Sequence, residues 1–495
     1  MPPSVVVVGA GFAGLTAAVE LASRNYQVTV VDRNPYPGGR SGRHDRRGFR
    51  IDTGPTVFTM PELFRDIFRR AGADPDDYVE FHRLEPGYQA IFADASSIDG
   101  GGRLVTYSDP EQMYDEIETK VSRTDADAYL RFRRYLQELF TIEFPNFIDG
   151  ELDGVVALLN NPRALLGLVR LGGFLRLPKI MSHFFGDDRL RRLFSFQSLY
   201  AGLSPIRALG IFAIIAYMDV VLGVVQPVGG MRAAADALAA LASDRGVRFL
   251  YRTEVEAMVM RERRVTRVVT DSGSLSCDAV ITSADPGELA RMLGRSFARV
   301  GGMHWRMSPS CFLSLRGVRG ELPESLIHHN IFFGVEWSGA FRDLVDNQRM
   351  MADPSMLVSI PTRTDPELAP PGSHIVYALE PTPSLQGRLD WDRLGAGFVA
   401  RFDRRLERIG VTRDLATLVR HDLDPRDWAR MGMDGGTPFS IAHTFFQSGP
   451  FRPSLGDRTV RNLVRTGSGT QPGVGLPLVT VSGRLAAARV REGLG

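Results

Sequence analysis

The run Val5-Val6-Val7-Val8-Gly9-Ala10-Gly11-Phe12-Ala13-Gly14 constrains this chain more than any other stretch. Four consecutive β-branched residues leave no polar face, which suits a parallel strand buried on both sides. The three glycines that follow have separate tasks. Gly9 permits a tight turn, Gly11 lets backbone approach a pyrophosphate, and Gly14 lets the next helix pack on the strand. That helix is predicted over Leu15 to Arg24, with its N-terminal amides aimed at the phosphates. A second apolar run, Val28 to Val31, ends in Asp32, close to the roughly 20-residue spacing of a carboxylate that bonds an adenosine ribose. Gly9, Gly11, Phe12, Ala13, Gly14 and Asp32 therefore read as the contact set of a dinucleotide-binding βαβ unit.

The segments that follow indicate which dinucleotide. Asp32-Arg33-Asn34-Pro35-Tyr36-Pro37-Gly38-Gly39-Arg40 brings a second glycine pair, which lets the chain lie against a ligand, while Arg40 can reach phosphate or flavin carbonyl oxygens. A short strand over Phe49 to Ile51 then leads into Asp52-Thr53-Gly54-Pro55-Thr56. A nicotinamide dehydrogenase has no need of this second glycine-rich segment, whereas a protein that holds FAD extended along its length does. Ordinary surface turns use the same residue types.

These motifs, together with Ser195-Phe196-Gln197-Ser198-Leu199-Tyr200-Ala201-Gly202, Gln226-Pro227-Val228-Gly229-Gly230-Met231 and Gly467-Ser468-Gly469-Thr470-Gln471-Pro472-Gly473-Val474-Gly475, carry a resemblance. Over nearly its whole length the chain resembles the phytoene desaturase family of carotenoid biosynthesis, within the flavin amine oxidase-like proteins. The resemblance implies bound FAD, with Arg33, Gly39, Gly54, Pro55, Thr56, Gly467 and Gly475 lining it and Val255 pairing the adenine through its backbone. This chain departs from the related bacterial pattern in two places: Asp32 stands where Glu is usual, and Arg465-Thr466 where two apolar residues are usual.

At 495 residues and 44% apolar content the chain exceeds the size at which one core stops growing, so two interleaved domains are expected. The fold class is α/β: a Rossmann-like FAD-binding domain assembled from 1–90, 226–295 and 456–495, with an α+β apolar substrate domain over 91–225 and 296–455. In the last piece an apolar run, Leu476 to Val481, precedes a helix expected over Gly483 to Arg491, whose dipole can face the flavin. Thr362 to Ser373, rich in proline, reads as a surface connection.

A formal net charge of +2 gives no case for nucleic acid. Cys277 and Cys311 are the only cysteines, so a reduced, cytoplasmic protein without a disulfide framework is expected. The fingerprint begins too early to leave room for a signal peptide. Ala208 to Met218 reads as a buried helix rather than a span, because Asp219 would sit charged inside the membrane. Pro162 to Phe185, an apolar helix carrying Arg163, Arg170, Arg176 and Lys179, suits either a bilayer interface or a face half buried against the substrate domain.

No metal-ligand spacing and no nucleophile elbow occurs, which leaves flavin redox as the chemistry. Aromatic stripes around Phe140, Phe196, Tyr200, Phe212, Phe333 and Phe445 suit either plain core or an oily ligand. Asp219 and His443 are the polar candidates for catalysis; both residue types are also found buried and satisfied by hydrogen bonds. The expected function is FAD-dependent desaturation of a long isoprenoid such as phytoene, with quinone or oxygen as electron acceptor and peripheral membrane contact. The alternatives are a flavin-dependent polyene isomerase, an amine or amino-acid oxidase, and a non-enzymatic lipid-binding relative.

Overall fold

The computed structural model describes residues 2–94, 102–295, 305–387, 389–413 and 415–494. Strand β1 (Ser4–Val8), helix α1 (Phe12–Ala22) and strand β2 (Gln27–Val31) form the N-terminal unit, with Val5 beside Val28 and Val8 beside Val31. Strands Arg248–Leu250, Ala279–Thr282 and Leu463–Arg465 extend this pair into a five-stranded parallel sheet. In spatial order the strands are 248–250, 27–31, 4–8, 279–282 and 463–465. Strand β1 sits in the middle, and Val5 to Val8 are all buried, as a strand with neighbours and helices on every side must be. The chain is an α/β protein with a Rossmann-like sheet drawn from three separated stretches.

Two helix boundaries differ from the sequence reading. Helix α1 begins at Phe12 rather than Leu15, because Gly11 already serves as its extended N-cap (φ −75°, ψ 172°), and it ends at Ala22. The C-terminal helix runs over Leu476–Leu494, so the apolar run 476–481 is its opening turns and its N-terminus is not at Gly483. Gly483 has a packing role instead. A Cβ there would lie 2.3 Å from the Ala13 carbonyl oxygen, so its absence is what lets this helix lie against α1.

A second sheet has seven strands in the order Ala416–Leu423, Ser310–Arg319, Ser373–Thr382, Met356–Ser359, His329–Phe333, Tyr88–Phe92 and Arg103–Thr106. Its neighbours run antiparallel except 329–333 and 88–92, which are parallel. The expected division at residue 90 falls inside one of these strands. Strand Val224–Pro227 likewise spans the division at 225 and pairs with Phe58–Thr59 and Phe81–Leu84. Strand Gly273–Ser276, absent from the sequence reading, completes a three-stranded sheet with Val255–Arg261 and Arg264–Thr270.

Helices Arg123–Glu143, Pro162–Arg170 and Leu177–Phe184 wrap the end of the large sheet around a core that includes Tyr88, Phe132, Phe185, Phe194 and Phe333. The stretch 162–185 is thus two helices. Gly172 at φ +71° turns the chain, and Gly173 packs so tightly that a Cβ would lie 3.0 Å from both Ile211 Cγ2 and the Leu168 carbonyl. Residues 208–218 are largely buried, but as a 3₁₀ turn (Gly210–Ala213), one α turn (Ile214–Ala216) and the start of a wide π turn, Tyr217–Val221, that carries Asp219. The connection 362–373 is more than surface: Leu368 and Ala369 enter a core cluster, and the Asp365 carboxylate accepts the Gly229 N–H at 2.7 Å.

Candidate active site

The fingerprint glycines differ sharply in what surrounds them. A Cβ on Gly9 (φ +102°) would strike Ser283 Oγ at 2.1 Å, and one on Gly14 would strike the Gly9 carbonyl oxygen at 2.0 Å; these two make the turn and the helix contact possible. A Cβ on Gly11 would meet only the Gly39 Cα, at an ordinary 3.9 Å, and would otherwise project into the cavity. The second glycine pair lies directly across: Gly38 N–H donates to the Ala10 carbonyl at 2.8 Å, and a Cβ on Gly39 (φ +56°) would be 3.0 Å from Gly11 Cα. Two bare backbones therefore face one another and leave the space between them to a ligand.

Asp32 closes one end of this cradle. Its Oδ2 accepts the Ala10 N–H at 2.7 Å and its Oδ1 accepts the Asn34 N–H at 2.8 Å, while burial raises its pKa against these bonds. The Thr253 N–H reaches the Asp32 carbonyl at 3.0 Å, which brings Val255, at the start of its strand, to the same cavity wall. Arg33 also lines the cavity but donates to the Met431 carbonyl. Arg40 donates to both oxygens of Asp285, at 2.8 and 2.7 Å, so its guanidinium is anchored at the wall. A Cβ on Gly54 would lie 1.9 Å from the Arg40 carbonyl oxygen, which locks the segment Gly54-Pro55-Thr56 onto the Gly39-Arg40 loop. Phe12 and Ala13 complete this end from the first turn of α1.

The C-terminal cluster supplies the opposite wall. Gly467 (φ +92°) receives support from Ser482, whose Oγ accepts its N–H at 3.0 Å, and Gly475 (φ +113°) has nothing within 4 Å of where a Cβ would be. Residues Leu476 to Val479 also face the cavity, so the N-terminus of the last helix opens onto it, one turn and more before the sequence reading placed it. Arg465, at the end of the outermost parallel strand, is tolerated there because the Ser454 and Gly456 carbonyls accept its N–H groups at 3.0 and 2.6 Å and Asp457 lies 3.6 Å away.

From this cradle the cavity, about 1160 Å³, continues into a chamber walled by Phe147, Ile148, Leu168, Phe196, Tyr200, Phe212, Ile214, Ile215 and Phe445. Asp219 and His443 both face it. The Tyr88 hydroxyl donates to Asp219 Oδ1, and the Tyr200 hydroxyl stands 3.4 Å from that of Tyr88. Burial raises the Asp219 pKa to about 7, with Tyr88 and Gln197 acting in the opposite direction. Its Oδ2 has no donor, and neither has Gln197 Oε1, whose amide nitrogen is committed to the Leu193 carbonyl at 2.9 Å. His443 is held neutral by burial and by the nearby Arg452, and the Val474 N–H approaches its Nε2 at 3.4 Å. Tyr88 escaped the sequence reading because it lies on a buried strand with no motif around it. Glu143, another cavity residue, was hidden within the stripe Phe140-Thr141-Ile142-Glu143-Phe144.

Residues 12–491 match the family model for flavin containing amine oxidoreductase. The chain is 44% identical over 490 residues to phytoene dehydrogenase of Streptomyces griseus, covering 98% of this chain and 94% of that one. It is 34% identical over 496 residues to zeta-carotene-forming phytoene desaturase of Myxococcus xanthus, covering 98% and 93%. Cyclohexylamine oxidase from Brevibacterium oxydans shares the fold, with a TM-score of 0.59 at 15% identity over 100% of both chains. The site and fold define a flavin-dependent oxidoreductase. The chain belongs to the flavin containing amine oxidoreductase family, and its cofactor is FAD.

The open face of Gly11 and the bare approach of Gly39 leave space that fits a pyrophosphate, on the same cavity wall as Asp32, Val255 and Gly475. Gly11→Val is therefore expected to fold yet fail to retain FAD, because its Cβ meets no protein atom closer than the Gly39 Cα at 3.9 Å and its branches enter the cradle. Absorbance of the purified protein near 450 nm checks this. A variant that keeps its full flavin complement would place the pyrophosphate elsewhere.

Proposed function

We propose that this protein is an FAD-dependent desaturase that introduces conjugated double bonds into a long isoprenoid, phytoene or a related carotenoid precursor. The observation that carries this reading is the continuity of one cavity from the nucleotide cradle into an aromatic and aliphatic chamber, a lining suited to an apolar chain with few polar anchors. The whole-length similarity to carotenoid desaturases supports the same substrate class. The chemistry that FAD supplies when bound is acceptance of a hydride, at N5, from an allylic carbon. The apolar walls orient the chain and exclude water, and the anchored Arg40 and Gly54 segments hold the cradle rigid.

Desaturation also releases a proton from the neighbouring carbon. Asp219, on the cavity wall, is the group we assign to receive it, while Tyr88 holds its Oδ1. A pKa of about 7 leaves the carboxylate available at neutral pH without making it a weak base. His443 is assigned a positioning role, packed edge-on against Phe212 with ring centroids 6.1 Å apart. Quinone or oxygen is the proposed electron acceptor.

Under anaerobic conditions, phytoene should bleach the flavin as a longer conjugated polyene appears, and a quinone should restore the oxidised spectrum. The bleaching rate should rise with pH through about 7, as Asp219 ionises, and Asp219→Asn should lose that limb together with most of the rate while keeping its flavin. An isomerase would act without net bleaching, and a lipid carrier would show neither change. Bleaching by an amine but by no isoprenoid would defeat the substrate assignment.

We further propose that the cavity mouth rests on a membrane surface. No described helix is long and apolar enough to cross a membrane. Helix Pro162–Arg170 buries Ala164 and Leu168 but exposes Leu166 and Val169, at 60% and 54%. Phe174 and Phe445 are both exposed and part of the cavity wall, and Phe446, at 65%, lies beside them in sequence. The exposed cations Arg163, Arg170 and Lys179 flank this patch, so anionic headgroups can meet charge while the apolar face enters the interface. Replacing Leu166, Val169 and Phe446 together by serine should release the protein from anionic liposomes in a flotation assay with its flavin retained; undiminished flotation would remove this face from the account.

A further inference from the structure

Glu143 is the one cavity carboxyl, among the described residues, that the protein leaves without a partner. It closes helix Arg123–Glu143, where the chain passes into the wide turn Phe144–Ile148, and it is buried at 8% exposure. The other acidic groups of the cavity wall are all engaged. Asp32 accepts two backbone amides, Asp285 holds Arg40, Asp219 accepts from Tyr88, and Glu254 and Glu288 lie 3.6 and 3.0 Å from Arg291. Glu143 Oε2 has no hydrogen-bond partner, and no charged neighbour offsets the burial that pushes its pKa well above the usual carboxylate range. Glu143 lines the cavity, and its burial favours the neutral carboxylic acid over the carboxylate. Phe147, Ile148 and Leu168, which share that wall, contribute no donor or acceptor side chain.

An unmet carboxylic acid in an oily chamber is costly to fold around and contributes nothing to a pure hydrocarbon. Its inventory is one O–H donor and free acceptor lone pairs. A hydroxyl answers both needs, whereas an ether or carbonyl answers one. An ammonium group would bring three donors, and Phe147, Ile148 and Leu168 offer no acceptor side chain. We propose that Glu143 recognises a hydroxyl group on the isoprenoid chain, so that this protein takes a hydroxylated acyclic polyene in preference to the matching hydrocarbon. The proposal rests on the desaturase reading for the isoprenoid nature of the ligand and adds the oxygenated class to it.

The test compares two probes of equal chain length, an acyclic C40 polyene and its terminally hydroxylated analogue, on the FAD-loaded protein in detergent micelles. Dissociation constants come from quenching of flavin fluorescence, and anaerobic bleaching is followed in parallel. The wild-type protein should bind the hydroxylated probe about tenfold more tightly, the factor for one net hydrogen bond. Glu143→Leu should bring the ratio of the two constants close to one, and Glu143→Gln, which keeps a donor and an acceptor in the same shape, should retain most of it. The flavin spectrum of each variant reports that the site has folded. Equal binding of both probes by the wild type, or a preference that survives in Glu143→Leu, overturns the proposal. Loss of bleaching with both probes while the binding ratio holds also overturns it, because Glu143 would then serve the chemical step. Binding preference without bleaching by either wild-type probe would uphold the recognition and defeat the desaturase reading instead.

Discussion

Two close backbone approaches organise this protein. Gly14 lets α1 settle against the carbonyl of Gly9, and the Gly38-Gly39 loop lies across from Gly11 with no side chain between them. In the same region, Gly54 rests on the carbonyl of Arg40, and Gly483 brings the last helix onto α1. Side chains at Gly14, Gly39, Gly54 and Gly483 would press on neighbouring backbone, so the cradle depends on glycine at these contacts between distant parts of the chain. The five-stranded parallel sheet holds them in register, since its strands come from those same parts of the chain.

The polar groups around the cavity are then distinguished by what reaches them rather than by residue type. Asp32 is tied to two loop amides, Asp285 to a guanidinium, and Asp219 to a phenol within an otherwise apolar wall. Burial raises the Asp219 pKa to about 7, which suits the proton-accepting role proposed for it. Arg452, fully buried behind the C-terminal cluster, donates to the carbonyls of Ile441, Gln447, Ser468 and Thr470 and so fastens the glycine-rich loop on the cavity wall.

Much of this was legible in the sequence because its signals are local. Continuous valine, spaced glycine and a terminal acid specify a strand, a turn and a second strand with little help from elsewhere, and the structure places β1, β2 and strand Ala279–Thr282 accordingly. The helix ends were less legible. Phe12 and Ala13 read as loop until Gly11 is seen to act as a cap, and Leu476 to Val481 reads as an apolar run whose helical state is set by packing against α1. The break at Gly172-Gly173 depends on Ile211, distant in sequence, and so carried no local mark beyond the glycines themselves. The partners of Asp219 were invisible for the same reason: Tyr88 reaches it from a strand of the other sheet. Sequence spacing can nominate a carboxylate, but only the fold says which donors surround it.

Cradle and chamber are one cavity, and in the proposed desaturase a substrate carbon held in the chamber would lie against the flavin. Anaerobic single-turnover bleaching with phytoene deuterated at the reacting allylic carbons tests this most directly. Direct transfer of hydrogen to the flavin predicts that deuteration slows bleaching several-fold under saturating substrate, with the amplitude unchanged. Equal rates for both isotopic forms across the pH range would contradict it, since the flavin would then be reduced by a step that does not break that bond.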